Sequence, residues 1–240
     1  GPVVIDIPKD VQNQDAAADY RFDPIAFDSS LVNILYSPHP ERETIRKAVS
    51  LINRSERPLI LCGHGIISAK AGDALKQFAE KANIPVAFTL HGLSAFPVDH
   101  PLSLGMVGMH GTVESNRALL NADLIISLGM RFDDRVTGKL DEFAINAAVI
   151  HVEIDPSEID KNVKTDVSIN ADAGGAIQQL LRDPELISKP RRMWFEQIET
   201  YRREIVDEIQ EEIDTGVGKQ GQLLMKTIVS KLSKATDGRD

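Results

Sequence analysis

The residues best suited to bind a charged ligand lie directly after an apolar run. Leu124–Leu128 is apolar enough to be a buried strand, and Gly129–Gly138 then presents two arginines and two aspartates. Charges at the carboxyl end of an interior strand are costly to desolvate unless a ligand or an ion pair satisfies them, and open α/β sheets bind ligands at that edge. We interpret Gly129–Gly138 as a binding loop.

The two arginines of this loop, Arg131 and Arg135, suggest what it could bind. A guanidinium can grip a diphosphate through two hydrogen bonds or stack on an aromatic ring. The alternative is an internal ion-pair cluster in which the arginines pair with Asp133 and Asp134. The residues alone leave both interpretations open.

A glycine pair follows the apolar run Pro58–Cys62. Gly63 and Gly65 flank His64 before a predicted helix, and such glycines allow a tight turn and a close backbone approach to a phosphate. The match to the dinucleotide fingerprint is partial, because Ser68 stands where the third small residue is expected. An ordinary turn between strand and helix explains the pair equally well.

Two further segments could contact a ligand. In Thr89–Gly92 a hydroxyl and backbone groups could bind a ribityl or ribose chain, although a cap or turn explains Thr89 almost as well. In Gly105–Thr112 three glycines surround two methionines and His110. Methionine is usually core filler and His110 could be a turn residue, but the glycine density favours a loop that contacts a ligand.

Carboxylates follow two later segments. His151–Pro156 ends a predicted strand with Glu153 and Asp155, the position from which an acid receives ribose hydroxyls or an adenine amine in nucleotide-binding sheets. Asp172 precedes the next predicted helix, where N-capping is the simpler account.

Composition limits the function classes. The 240 residues allow one large or two small domains. The formal charge of -9 argues against nucleic acid as a partner. Cys62 is expected to be a reduced core thiol, which indicates the cytoplasm, or an organelle if the source is a eukaryote. The sequence offers no membrane-spanning run, no signal peptide and no metal-ligand spacing, so we predict neither a membrane partner nor a metal site.

Alternating helix and strand signals predict a doubly wound parallel α/β sheet of Rossmann-like type with a helical C-terminal arm. Residues 11–41 are interpreted as a surface connector, and both chain ends suggest a fragment of a longer protein. The predicted strands are Pro58–Cys62, Pro85–Phe88, Leu124–Leu128 and Ala148–Ile154. The predicted helices are Glu41–Asn53, Ala69–Ala82, Thr112–Asn121, Gly174–Leu181 and a long amphipathic helix beyond Arg182.

Taken in order, four segments resemble the large catalytic subunit of the acetohydroxyacid synthase (acetolactate synthase) family. Gly1–Asp10 is similar to the end of the family's pyrimidine-binding domain. Thr89–Gly92, Gly108–Gly111 and, most specifically, Gly129–Gly138 are similar to its central FAD-binding domain. The resemblance implies three parts: residues 1–40 end the pyrimidine-binding domain and its linker, 41–185 are the central domain, and 186–240 lead into the diphosphate-binding domain.

The resemblance also implies an FAD extended across the strand ends. His64 and Met130 stand where the family commonly has alanine, so their contacts are expected to be backbone only. The implied FAD contacts are Gly63, His64, Gly65, Thr89, Leu90, Val107, Gly108, Met109, His110, Gly129, Met130, Arg131, Asp133, Arg135, Val136 and, for the adenosine end, Glu153, Ile154, Asp172 and Ala173.

The family condenses two pyruvates, or pyruvate and 2-ketobutyrate, with release of CO2 in the biosynthesis of valine, isoleucine and leucine. It uses thiamine diphosphate and Mg2+, holds FAD as a structural group, and forms homo-oligomers with a separate regulatory subunit. Its activating glutamate and Gly-Asp-Gly motif have no counterpart in these residues, so we expect no catalytic residue and no activity in this chain alone. Alternatives are another FAD-containing thiamine enzyme, such as a pyruvate oxidase or glyoxylate carboligase, which the residues Arg131–Gly138 disfavour, and a stand-alone nucleotide-binding module.

Overall fold

The structure is a computed structural model that describes residues 6–15, 40–215 and 225–236. The chain forms two compact units, described here separately. Residues 6–15 belong to the first unit, where the short helix α1, Lys9–Gln12, begins directly after Pro8. The remaining described residues belong to the second unit, which contains all the strands described below.

A six-stranded sheet forms the centre of the second unit. The strands are β1 Pro58–Cys62, β2 Val86–Phe88, β3 Ser103–Met106, β4 Leu124–Leu128, β5 Ala148–Glu153 and β6 Val167–Asn170. Neighbouring strands are all parallel, in the order β3-β2-β1-β4-β5-β6, which confirms the predicted doubly wound α/β fold. Strand order reverses between β1 and β4, and ligands bind outside the carboxyl ends of strands at such a switch point.

Helices cover both faces of the sheet. The α-helices described in the second unit are α2 Arg42–Arg54, α3 His64–Ser68, α4 Gly72–Ala82, α5 Val113–Asn121, α6 Asp134–Thr137, α7 Ala173–Arg182, α8 Arg192–Thr215 and α9 Met225–Ala235. One apolar layer joins the sheet to α2, α4 and α7, and the other joins it to α5 and the first turns of α8. Short 3-10 turns span Leu90–Gly92, Leu140–Glu142 and Pro156–Glu158.

Strand β1 shows why a continuous apolar run predicts an interior strand. Ile60 and Cys62 face one layer while Leu59 and Leu61 face the other, so both faces are buried. Burial raises the pKa of the Cys62 thiol, because the thiolate would lose its hydration. The predicted core thiol is therefore confirmed.

The structure corrects several predicted elements. The helix predicted over 69–82 is α4, which begins at Gly72 because Lys70 adopts a left-handed φ of 51°. The short helix α3, His64–Ser68, precedes the predicted range. Strands β3 and β6 were not predicted, since both are short and mix polar with apolar residues. Most of the predicted connector 11–41 and the start of the strand-like segment 1–10 lie outside the described residues; Lys9 and Asp10 are helical.

The predicted amphipathic helix beyond Arg182 is confirmed as α8. Its first turns pack against the sheet through Trp194 and Ile198, which are both buried. The Trp194 indole donates from Nε1 to the Pro58 carbonyl at 3.0 Å, so α8 is fixed to the start of β1. Trp194 is the single tryptophan of the chain and therefore reports on this packing by fluorescence.

Candidate functional site

A cavity of about 820 Å³ opens at the carboxyl ends of the strands on both sides of the switch point. This volume lies within the range of about 300–1,000 Å³ that is typical of small-molecule sites. The lining residues are His64, Thr89, Leu90, His91, Met106, Val107, Met109, His110, Gly129, Met130, Arg131, Asp133, Arg135, Val136, Glu153, Asp155 and Glu158.

The segment after β4 points alternate side chains into the core and toward the cavity. Met130 and Phe132 are 5% and 3% exposed, whereas the Arg131 side chain between them is 67% exposed. Arg131 contacts Asp133 at 3.6 Å and Arg135 contacts Asp134 at 4.0 Å. These exposed ion pairs are weak. The loop therefore contains the predicted ion pairs and also lines the cavity with both arginines.

Three glycines bring the loops after β1 and β4 together. A β-carbon built on Gly65 would lie 2.6 Å from the Gly129 Cα atom, and the Gly65 N–H donates to the Gly129 carbonyl at 2.9 Å. Gly63 also donates to β4, through the Leu128 carbonyl at 3.1 Å. Gly63 and Gly65 therefore lie against the neighbouring loop, behind the cavity wall, while Gly129 lines the cavity itself.

An asparagine holds the loop after β3. The Asn116 side chain accepts from the Gly108 N–H at 2.8 Å and donates to the Gly108 carbonyl at 2.9 Å. Gly108 has a φ of 98°, which favours glycine. Thr112 caps α5 by accepting from the Ser115 N–H. These hydrogen bonds hold the loop in a conformation in which Met109 and His110 line the cavity.

The loop after β2 contributes a hydroxyl and a short 3-10 turn. Thr89 is buried at the start of that turn, and its side chain makes no capping hydrogen bond. Its N–H donates to the Cys62 carbonyl at 3.0 Å. His64 Nδ1 lies 3.3 Å from the His91 carbonyl, which joins the loops after β1 and β2.

One end of the cavity is acidic. The Glu153 carboxylate is fixed because it accepts from the N–H groups of Ile154 and Asp155 at 2.8 and 3.1 Å. The Asp155 carboxyl accepts from both the hydroxyl and the N–H of Ser157, which lowers its pKa from the usual range. Asp155 is therefore ionised near neutral pH and, with Glu158, offers acceptors to hydroxyls or amines.

The structure brings most of the predicted contact residues to this cavity, but some lie elsewhere. Asp172 accepts from the Gly175 N–H at 3.1 Å, so the predicted N-cap of α7 is confirmed, and it borders a separate cleft with Lys70 and Asp73. The predicted residues outside the cavity lining are Gly63, Gly65, Gly108, Ile154, Asp172 and Ala173.

Four lining residues were not among the predicted contacts: His91, Met106, Asp155 and Glu158. His91 and Met106 lie inside the motifs that the sequence had already indicated. Asp155 and Glu158 lie shortly after Glu153, the last residue of β5. The cluster of carboxylates after this strand was the sequence feature that could have predicted both contacts.

Taken together, the cavity has two guanidiniums, an apolar part that includes Leu90, Val107 and Val136, and an acidic end. An apolar part, two cations and an acidic end suit an elongated ligand with a central anion. Within residues 6–15, 40–215 and 225–236, no cluster of three or more His, Cys, Asp or Glu side chains could hold a metal ion. In the same ranges, no helix is long and apolar enough to cross a membrane.

Comparison with known proteins identifies the family. The model of the thiamine pyrophosphate enzyme central domain matches residues 45–180, more than half of the chain. The chain belongs to this thiamine pyrophosphate enzyme central-domain family. The matched range runs from α2 to α7 and therefore holds the whole sheet of the central domain and its cavity.

Individual relatives of this central domain are acetolactate synthases. The chain is 42% identical over 205 residues to the acetolactate synthase large subunit of Parasynechococcus marenigrum (strain WH8102), covering 84% of this chain and 33% of that protein. It is 46% identical over 203 residues to the probable acetolactate synthase large subunit of Methanocaldococcus jannaschii, covering 82% and 33%. It is 46% identical over 178 residues to acetolactate synthase 1, chloroplastic, of Zea mays, covering 74% and 27%. The chain spans about a third of the length of these relatives or less.

Proposed function

We propose that this chain is the FAD-binding central domain of an acetolactate synthase large subunit. The observation that supports it most is the cavity at the switch point of the sheet, where Arg131 and Arg135 lie between apolar and acidic surfaces. Similarity to acetolactate synthase large subunits over most of the chain supports the same proposal.

The residues of the cavity fit the parts of FAD. Arg131 and Arg135 would hold the diphosphate, because guanidiniums donate paired hydrogen bonds to phosphate oxygens. Leu90 and Val107 would lie on the flavin side, and Glu153 would accept from ribose hydroxyls on the adenosine side. FAD would serve here as a structural group, not as the electron carrier of the reaction.

For the whole protein we propose acetolactate synthase activity: condensation of two pyruvates, or of pyruvate and 2-ketobutyrate, with loss of CO2. Thiamine diphosphate and Mg2+ would be held by other domains. Catalytic subunits would associate with one another and with a regulatory subunit. The cytoplasm is the proposed compartment, or an organelle in a eukaryote, as the chloroplastic name of the maize relative illustrates.

Titration with FAD tests the cofactor proposal. The full 240-residue chain is titrated with FAD and, in parallel, with FMN, and flavin fluorescence is recorded. FMN carries the flavin and one phosphate but lacks the diphosphate link and the adenosine. We expect FAD to bind at least about tenfold more tightly, because contacts to the diphosphate and ribose are lost in FMN. Absence of FAD binding, or equal affinity for FMN, contradicts the proposal.

An activity assay tests the proposal that this chain alone is inactive. The same chain is incubated with pyruvate, thiamine diphosphate and Mg2+, and acetolactate is measured. We expect none, because the activating glutamate and the diphosphate-binding motif of the family have no counterpart in this sequence. Acetolactate formation by the purified chain contradicts this proposal while leaving FAD binding untouched.

A further inference from the structure

His151 is a buried residue with no place in the cavity lining. It lies in the middle of β5, its side chain is fully buried, and its register partner on β4 is Ser127. In the sequence, the segment His151–Pro156 indicated a ligand contact only through its carboxylates, Glu153 and Asp155. A fully buried histidine requires a different explanation.

Two contacts join His151 to the binding loop. His151 Nε2 donates to the Met130 carbonyl at 2.8 Å. The imidazole also meets the Phe132 ring edge to face, with 4.9 Å between centroids. Met130 and Phe132 flank Arg131, so a single side chain fixes the backbone on one side of the arginine and the ring on the other.

The chemistry of the ring fits a neutral donor. The Met130 carbonyl can only accept, so Nε2 carries the proton. Among the described residues Nδ1 has no hydrogen-bond partner. Burial lowers the pKa of His151, which keeps Nδ1 unprotonated. The hydrogen bond to the Met130 carbonyl therefore requires a proton on Nε2 and does not require a charged imidazole.

We propose that His151 is a positioning residue for Arg131: by holding Met130 and Phe132 from inside the sheet it sets the direction in which the guanidinium enters the cavity. Asn162 supports the same segment, since its Nδ2 donates to the Phe132 carbonyl at 2.6 Å. Without the His151 donor, the buried Met130 carbonyl loses its partner and the segment shifts to find another. This proposal rests on the proposed function, because Arg131 is the expected phosphate ligand.

The test compares two amide variants of the full chain. In His151→Gln the amide nitrogen lies about as far along the side chain as Nε2 and can reach the Met130 carbonyl. In His151→Asn it is one carbon shorter and cannot. Apolar His151→Leu is a third variant, and Val49→Ala, in the opposite hydrophobic layer, controls for lost stability. Trp194 fluorescence verifies that each variant is folded.

Two readouts are measured: the FAD dissociation constant and hydrogen exchange of the amides of 129–133 without ligand. We expect His151→Asn and His151→Leu to raise the dissociation constant about tenfold, the effect of about one hydrogen bond, and to speed exchange. His151→Gln and Val49→Ala should stay near the wild type in both readouts.

Wild-type exchange rates in His151→Asn and His151→Leu overturn the positioning role. Equal weakening of FAD binding by His151→Gln and His151→Asn overturns it as well. If the wild type binds no FAD, the proposed function fails, and exchange alone decides the role of His151.

Discussion

Gly129 and Gly65 lie so close that a β-carbon built on Gly129 would be 2.7 Å from the Gly65 Cα atom. Backbone lies on both sides of this contact, so neither partner can move aside without shifting a loop. The contact closes the switch point between β1 and β4, and the shape of the cavity wall depends on it.

Gly129→Ala should therefore weaken FAD binding at least about tenfold and cost about 2 kcal/mol of stability, since it combines a clash with a left-handed φ of 60°. Gly138→Ala is the control, because Gly138 has a φ of 59° but nothing within 4 Å of its added β-carbon. It should lose stability while keeping FAD affinity. Equal loss of affinity in both variants would show that strain, and not the close approach to Gly65, is responsible.

Asn116→Asp should weaken FAD binding about fivefold. The carboxylate still accepts from the Gly108 N–H but repels the Gly108 carbonyl, so the loop that carries Met109 and His110 loses one of its two anchors. Asn121→Asp, an exposed site on the same helix with the same charge change, is the control. Matching titration curves for the two variants would exclude a role of Asn116 in shaping the site.

The apolar runs of β1 and β4 were predictable because parallel interior strands are buried on both faces. Strand β6 was not, because Ser168 is exposed between buried neighbours and the run is four residues long. The glycine-rich and charged strand ends predicted most of the cavity. The long-range supports could not be predicted, since His151–Met130 and Asn162–Phe132 are contacts across the fold with no sequence motif.

Arg191 is expected to stabilise the fold without touching the cavity. Its buried guanidinium donates to the carbonyls of Ile52 at 2.8 Å, Ser55 at 3.1 Å and Ala82 at 2.6 Å, at the ends of α2 and α4. Arg191→Met leaves these carbonyls without the donor and should lower the free energy of unfolding by about 3 kcal/mol or more.

Urea unfolding followed by Trp194 fluorescence measures this free energy. The exposed neighbour Arg192, changed to Met, should cost under about 0.5 kcal/mol; a similar cost at both positions would contradict the role of Arg191.

The stability of the fold should fall in mild acid through His151. Burial lowers its pKa below the usual 6.5, although the hydrogen bond to the Met130 carbonyl and the carboxylates of Glu153, Asp160 and Glu158 act in the opposite direction. The unfolded chain then binds a proton that the folded chain does not, so stability is lost as pH falls from about 7 through 6.5 toward the lowered pKa.

The loss approaches at most about 1.4 kcal/mol per pH unit from this group. Urea unfolding at a series of pH values gives the free energy of unfolding against pH for the wild type and for His151→Gln. The contribution of His151 is the difference between the two slopes. The variant should have the shallower slope between about pH 7 and 5. Parallel slopes would mean that His151 does not contribute.

The most direct test of the central claim is the FAD affinity of Arg131→Ala. Arg203→Ala, on the exposed side of α8 and away from the cavity, removes the same charge and is the matched control. With both variants folded by circular dichroism, Arg131→Ala should raise the FAD dissociation constant at least about tenfold, because a charged hydrogen-bond donor to the diphosphate is lost, and Arg203→Ala should leave it unchanged. Wild-type FAD affinity in Arg131→Ala would contradict the account.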